Sequence, residues 1–292
     1  MLTLKKITLV TIFSLLRLNV NYAEELPPFE HPFGLIATDN RLDALSNNLK
    51  MPLASESGLV QTLNYGGGFM LIHLDPISSK FIDFAKSCTY PILDIGSAFG
   101  VATIAALKNS SCSIIADDIG VENLLILRNQ TEEQDRKRLY LNTNRFPQTL
   151  DFKPNSLEGI LICRVFHFLK SEEIEEGLQK MVQWLIPGGK LFIVTATPFQ
   201  GNLKEFVPIY EERWANNNPW PGYVENYGPT SGLSHNLHPF LHVMDERPLR
   251  KALESSGFTI QEIQYIDRRK TLPTLGLDGK EGIGIIAIKP VN

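Results

Sequence analysis

The sequence predicts a doubly wound α/β fold of the Rossmann-like kind: a mostly parallel, seven-stranded sheet with helices on both faces. Three observations predict it. Strand-like apolar runs alternate with helical patterns from Ile92 to Thr195, which is the signature of successive βα units. The run Gly159 to Val165 is largely apolar, as suits a parallel strand buried on both faces. The stretch Pro91-Ile92-Leu93-Asp94-Ile95-Gly96-Ser97-Ala98-Phe99-Gly100 reads as a buried strand, a glycine-bearing turn and the start of a helix.

Each element follows in order. Ser78-Ser79 is placed to cap a helix over Lys80 to Lys86. The first strand is Ile92 to Ile95, with its helix over Val101 to Leu107. The second strand is Ser113 to Ala116, followed by a helix from Val121 to Glu133, and Leu139 to Asn142 forms a short third strand. The fourth strand, Gly159 to Val165, leads to a helix over Glu172 to Leu185, and Pro187-Gly188-Gly189 stops it before a fifth strand, Lys190 to Thr195. Glu172 and Glu173 suit the positive end of that helix. Pro248 to Ser256 is an amphipathic helix closed by Gly257, and Phe258–Ile266 and Ile283–Ile288 complete the sheet. Upstream, residues 24–75 read as an N-terminal arm to a domain over 76–292, and Tyr65-Gly66-Gly67-Gly68 is a flexible turn bordering a ligand.

A chain of 292 residues, 43% hydrophobic, buries a sizeable core. Its net charge of −4 carries no electrostatic footprint for nucleic acid, and Arg136-Lys137-Arg138 follows three acids as a solvated helix face. Three cysteines make neither a disulfide framework nor a zinc spacing. Residues 1–23 have the parts of a secretory signal: Lys5 and Lys6, an apolar run over Ile7 to Leu16, and Asn21-Tyr22-Ala23 as a cleavage site. Arg17 interrupts the pattern, and the run is too short for a stable membrane span. Cofactor supply favours the cytoplasm and the signal-like segment favours export.

The glycine turn gives backbone room for a nucleotide-like ligand. The acids after the second strand, Asp117 and Asp118, are placed to accept ribose hydroxyls. A nicotinamide dinucleotide would need G-x-G-x-x-G, and here those positions are Gly96, Ala98 and Val101.

Four stretches in order carry a resemblance: Leu93 to Gly100, Ala116-Asp117-Asp118-Ile119, Asn155-Ser156-Leu157-Glu158-Gly159-Ile160, and Leu185-Ile186-Pro187-Gly188-Gly189-Lys190-Leu191. Together they resemble the class I S-adenosylmethionine-dependent methyltransferases over roughly Phe81 to Thr197, and more weakly through Pro248 to Val291. The resemblance implies S-adenosylmethionine as cofactor. It implies that Asp94 organises the turn and the amino-acid moiety, that Gly96, Ser97, Ala98 and Gly100 approach the cofactor, and that Asp118, with Asp117 beside it, takes the ribose. Arg145 and Phe146 fall where the family contacts adenine, and Cys163 ends the strand facing the methyl acceptor. Ala98 stands where the family often has glycine, the usual acid near Phe146 has no counterpart, and Leu157-Glu158 replaces a common Phe-Asp pair.

Methyl transfer from a sulfonium needs alignment more than acid–base help. His167 is the base candidate by position; the alternative is a histidine that caps the strand end. The segment 197–245 is long for a connection between strand and helix, and it reads as an aromatic cap. Tyr210, Trp214, Trp220, Tyr223, His235 and His238 are its candidate substrate contacts, against the alternative of a small satellite core. His235, His238 and His242 lack the acid or thiol that would complete a metal site. The expected acceptor is a small molecule. An exported effector that methylates a protein, and a non-catalytic binding module, are the alternatives.

Overall fold

The computed structural model describes residues 25–64, 68–225 and 240–291. The signal-like segment, Tyr65-Gly66-Gly67, Tyr227, His235 and His238 lie outside the described residues.

In chain order the elements are β1 (Leu35–Ile36), α1 (Arg41–Ser46), β2 (Leu59–Gln61), β3 (Phe69–Leu71), α2 (Pro76–Ala85), β4 (Ile92–Ile95), α3 (Val101–Asn109), β5 (Ile114–Asp117), α4 (Val121–Gln130), α5 (Glu133–Arg136) and β6 (Leu139–Asn142). Then come β7 (Leu157–Cys163), α6 (Ser171–Trp184), β8 (Leu185–Ala196), α7 (Val207–Ala215), β9 (Tyr223–Glu225), β10 (Phe240–His242), α8 (Glu246–Ser255), β11 (Thr259–Ile266) and β12 (Gly282–Ile288). The central sheet has the order β1-β6-β5-β4-β7-β8-β12-β11. Its five inner strands, β6 to β8, run parallel, while β12, β11 and β1 are antiparallel to their neighbours. The chain winds from β4 to β6 on one side and resumes at β7 on the other. The carboxyl ends of β4 and β7 therefore frame the crevice where such sheets bind ligands.

The seven expected strands are all present, and an eighth comes from the N-terminal arm: Leu35 and Ile36 pair with Leu141 and Tyr140. Two residues of edge strand leave no period to read in sequence. The helix after the second strand breaks at Thr131 into α4 and α5. The cap of α2 is Asp75, whose Oδ1 accepts from Ile77 N (3.0 Å) and Ser78 N (2.9 Å), with Pro76 in the first turn. This corrects Ser78-Ser79 as the cap and starts the helix earlier.

Strand alternation splits the core in two. Ile92, Ile114, Leu161, Phe192 and Val194 face one layer with Phe81, Leu107 and Leu124. Leu93, Ile95, Ile115, Ile160, Ile162 and Ile193 face the other with Ile174, Leu178, Trp184 and Leu253. The arm joins the first layer through Leu35, Ala37 and Leu42. Arg128, only 4% exposed, fastens it there: Nε donates to Ala37 O (2.7 Å) and Nη2 to Asp43 Oδ1 (2.6 Å). Among the described residues no helix is long and apolar enough to cross a membrane.

Replacing Arg128 by Met should cost about 1–3 kcal/mol, chiefly from the orphaned Ala37 carbonyl. The exposed Asp43 contributes little because its ion pair is screened. Urea unfolding would measure the loss, and limited proteolysis should cut within residues 38–50 before the rest of the domain. Unchanged cleavage would mean that the apolar contacts alone hold the arm.

Candidate functional site

The site begins with a carboxylate inside the sheet. Asp94, the third residue of β4, is 3% exposed and accepts a hydrogen bond from Thr103 Oγ1 on α3 (2.6 Å). Burial pushes its carboxyl up to about 7; the nearby Asp118 charge adds to this and the Thr103 bond offsets part of it.

The turn that follows runs through left-handed backbone at Gly96 (φ 71°), Ala98 (φ 48°) and Gly100 (φ 79°). A Cβ on Gly96 would sit 2.3 Å from Val165 Cγ2, and one on Gly100 2.3 Å from Leu127 Cγ. Ala98 accepts the strain, roughly 1–2 kcal/mol for an L-residue, because the turn is tied from outside. Its N–H donates to Asp118 Oδ2 (2.9 Å), and Ser97 N donates to Asp117 O (2.9 Å). Phe99 points away into a cluster with Val60 and Ile126.

The two acids after β5 do different things. Asp118 Oδ1 accepts from Gly120 N (2.8 Å) and Asn123 Nδ2 (3.0 Å), so with Ala98 its carboxylate joins the turn to the start of α4. Asp117 is 2% exposed, yet its Oδ1 has no hydrogen-bond partner. Burial, then the charges of Asp118 and Asp94, pushes the Asp117 carboxyl well above the usual range. Asp118 is also raised by burial, and its three hydrogen bonds hold it down. The two acids thus differ: Asp118 is taken up by the turn and the start of α4, while Asp117 keeps one buried oxygen without a partner, and both line the cavity.

Asn123, fully buried, carries the tie further. It receives Leu63 N at Oδ1 (3.0 Å) and donates from Nδ2 to Asn64 Oδ1 (3.2 Å). The β2–β3 hairpin is thereby held over the turn, and Thr62, Asn64, Gly68, Phe69, Met70 and Leu71 form one wall of the cavity. The glycine-rich turn was the only trace of this wall in the sequence; its three-residue strands are too short to announce themselves.

The cavity is about 460 Å³, within the range of small-molecule sites. Asp94, Gly96, Ser97, Ala98, Asp117, Asp118, Arg145, Phe146 and Cys163 all line it. Gly100 does not; it makes the turn from behind. Arg164 and Val165, which follow Cys163 at the same strand end, line it too, as do Ser78, expected only as a cap, and His73, Leu74, Asp75 and Phe168, which the sequence did not single out. Cys163 is held as a thiol, pushed up to about 12 by burial.

His167 is half-buried in a 3-10 turn with its ring edge-on to Phe168 (4.1 Å), and it is not part of the lining. Among the described residues nothing beyond Leu169 lines the cavity, so the described part of the aromatic segment does not reach it. Tyr210 is fully buried; its hydroxyl accepts from Asp245 N (3.2 Å). Arg247 lies over the rings of Tyr210 and Trp214. Trp220 Nε1 donates to Glu175 (2.7 Å) while its ring meets His242 edge-on, and Tyr223 packs on Phe240. His242 Nδ1–H donates to the Leu169 carbonyl (3.0 Å), and burial lowers its basicity. Leu203, Leu241 and Val243 form a small cluster with Ala196, Phe206 and Val224, while Trp220 packs on the main core. Among the described residues no cluster of three metal-ligating side chains exists.

Residues 92–189 match the family described as a methyltransferase domain. No curated protein matches the chain significantly. Solved structures with the same fold include an S-adenosylmethionine-dependent methyltransferase from Methanosarcina mazei (18% identity, 75% of this chain and 99% of that one, TM-score 0.55). Another is from Mesorhizobium loti (14%, 73% and 97%, 0.55). A third is the 1,6-didemethyltoxoflavin-N1-methyltransferase of Burkholderia thailandensis with S-adenosylhomocysteine bound (16%, 74% and 77%, 0.51). The class I methyltransferase fold expected from the sequence stands.

The two acids should separate in a stability measurement. Asp118→Ala removes acceptors from three donors and should cost about 2–4 kcal/mol. Asp117→Asn removes a buried carboxylate held beside two others and should leave stability equal or higher. Equal losses for both in urea unfolding would defeat this division of roles.

Proposed function

We propose that this S-adenosylmethionine-dependent methyltransferase binds its cofactor in the 460 Å³ cavity and methylates a small molecule. The observation that carries the placement is the unpartnered, buried Asp117 Oδ1 and the left-handed turn at Gly96, within one cavity. A carboxylate oxygen without a donor fits a ligand hydroxyl, and a turn that excludes Cβ fits close backbone approach.

When bound, S-adenosylmethionine supplies a methyl carbon on a sulfonium: an acceptor lone pair takes it as the carbon–sulfur bond breaks and the electron pair stays on sulfur. The chain's part is to hold and to exclude water. Asp117 takes the ribose hydroxyls, Gly96 to Ala98 present backbone to the amino-acid end, and Arg145 and Phe146 border the base. Asp94 faces the cationic part of the cofactor from within the sheet. The β2–β3 hairpin covers the cavity and strengthens each of these contacts by keeping solvent out. A small acceptor suits a cavity of this volume, which also reaches Cys163, Arg164 and Val165 at the end of β7.

Cofactor binding should depend on pH in a defined direction. In the free protein Asp94 binds a proton below about 7, and a cationic ligand favours the ionised form. Binding should therefore release a proton, and affinity should weaken by up to about tenfold for each pH unit below 7, then level off above it. Calorimetry in buffers of different ionisation enthalpy reads both. Asp117→Asn should weaken binding about 10- to 100-fold. A flat affinity between pH 5.5 and 8.5 together with unchanged binding by Asp117→Asn would overturn the placement.

A further inference from the structure

The acids of the cavity stand at the β5 and β4 ends. Its opposite end, past β7, is cationic, and nothing in the reading so far uses that charge. Arg164 follows Cys163 directly, lines the cavity, and holds left-handed backbone (φ 61°). Such strain in a non-glycine residue persists where the surroundings enforce it, commonly at ligand-binding positions. Its side chain is 17% exposed, its Nε is buried without a hydrogen-bond partner, and its one ionic contact is a long 3.9 Å approach to Asp75 Oδ2. Asp75 is already committed: Oδ1 caps α2 through Ile77 and Ser78, and Oδ2 accepts from Ser78 Oγ (2.8 Å).

A second arginine comes from the connection between β11 and β12. Arg268 is 7% exposed, and its Nε too is buried without a partner. Its guanidinium lies against Gly282, where a Cβ would come within 2.9 Å of Nε. Gly282 pairs with Ala196 at the end of β8, so Arg268 stands at the same sheet edge as Arg164. Its own acidic neighbour, Glu281, is occupied with backbone: Oε2 accepts from Arg268 N (2.8 Å), and Oε1 from Leu277 N (2.7 Å) and Gly279 N (2.8 Å). Burial and the Arg164 charge lower Arg268 to about 10, so its guanidinium remains charged at neutral pH.

Two buried guanidinium groups with undonated N–H groups call for an oxyanion from outside the fold. We propose that Arg164 and Arg268 form a carboxylate-binding subsite, and that the methyl acceptor is a small molecule carrying a carboxylate. The inference rests on the cofactor placement above. The planar fork of Arg164 would take the carboxylate from within the cavity, with Arg268 adding charge from behind, and so fix the acceptor against the methyl position. Cofactor and acceptor both could offer a carboxylate; the Arg268 connection lies on the side of the sheet away from Asp117, which favours the acceptor.

The test uses the full chain with variants Arg164→Gln and Arg268→Met. Binding of S-adenosylhomocysteine is compared with that of 5′-methylthioadenosine, which lacks the amino-acid end. Labelled methyl transfer is followed into the small-molecule fraction of cell extract, split by an anion exchanger into bound and unbound halves. Thermal midpoints are recorded alongside. We expect label in the bound half, reduced about 10- to 100-fold in both variants, an unchanged affinity ratio for the two nucleosides, and a midpoint for Arg268→Met equal to or above that of the parent chain. Label confined to the unbound half, or found in neither, overturns the proposal. So does a fall of about tenfold or more in the nucleoside affinity ratio, which would give the arginines to the cofactor's own carboxylate. A lower midpoint for Arg268→Met with undiminished transfer would make Arg268 a packing residue. Failure of the parent chain to bind either nucleoside would instead sink the cofactor placement itself.

Discussion

The Asp118 carboxylate is the contact on which the rest of the cavity depends. It receives Ala98 N–H from the turn after β4 and Gly120 N–H from the start of α4. It also receives the Asn123 amide, which in turn holds Leu63 and Asn64 of the hairpin. Three pieces of chain distant in sequence are thereby fixed around one buried charge. Ala98 is held in left-handed backbone by that charge rather than by any freedom of its own. Without this tie the turn would be free to relax, the hairpin would lose its polar anchor, and the wall opposite the sheet would open to water. The charge is expensive to bury, and the hydrogen bonds are what make it tolerable.

The same principle explains which parts of the molecule were legible in sequence. The inner strands could be read because two-sided burial forces an apolar run, as in Ile114-Ile115-Ala116 and Ile160-Leu161-Ile162. The turn Gly96 to Gly100 could be read because two of its left-handed positions exclude a side chain by contact with Val165 and Leu127. The division of labour between Asp117 and Asp118 could not. Adjacent acids look alike in sequence, and only the directions of Ala98, Gly120 and Asn123 distinguish them. Asp75 displaced Ser78 as the helix cap for a similar reason: both are good caps, and Pro76 in the first turn fixed the earlier start.

The aromatic segment after β8 left two readings open because its composition suits two environments. Large rings clamp planar ligands, and they also fill small cores. What decides is the partner of each polar tip. The Tyr210 hydroxyl caps Asp245 N, Trp220 Nε1 reaches Glu175, and His242 Nδ1 reaches the Leu169 carbonyl. The Tyr210 and Trp220 tips are used within the protein, His242 uses Nδ1 and leaves Nε2 buried without a partner, and all three rings pack on neighbouring rings. The segment supports the site at one remove: the His242 bond holds Leu169, which belongs to the cavity lining.

A satisfied tip marks structure, and an unsatisfied buried one marks a place where the fold has forgone stability. Applied to the Asp, Glu, Lys and Arg side chains of the described residues, that criterion picks out Asp117 at one end and Arg164 and Arg268 at the other. Both ends carry a cost in the protein alone: carboxylates raised by burial and mutual repulsion on one side, a guanidinium lowered by burial on the other. Moving the opposite charges together would relieve both, yet the fold keeps them apart across β4 and β7. A ligand that is cationic near Asp94 and meets an anion near Arg164 would relieve both ends at once. The separation of unsatisfied charge, more than the number of apolar contacts, is then what such a cavity uses to order two reactants along one line.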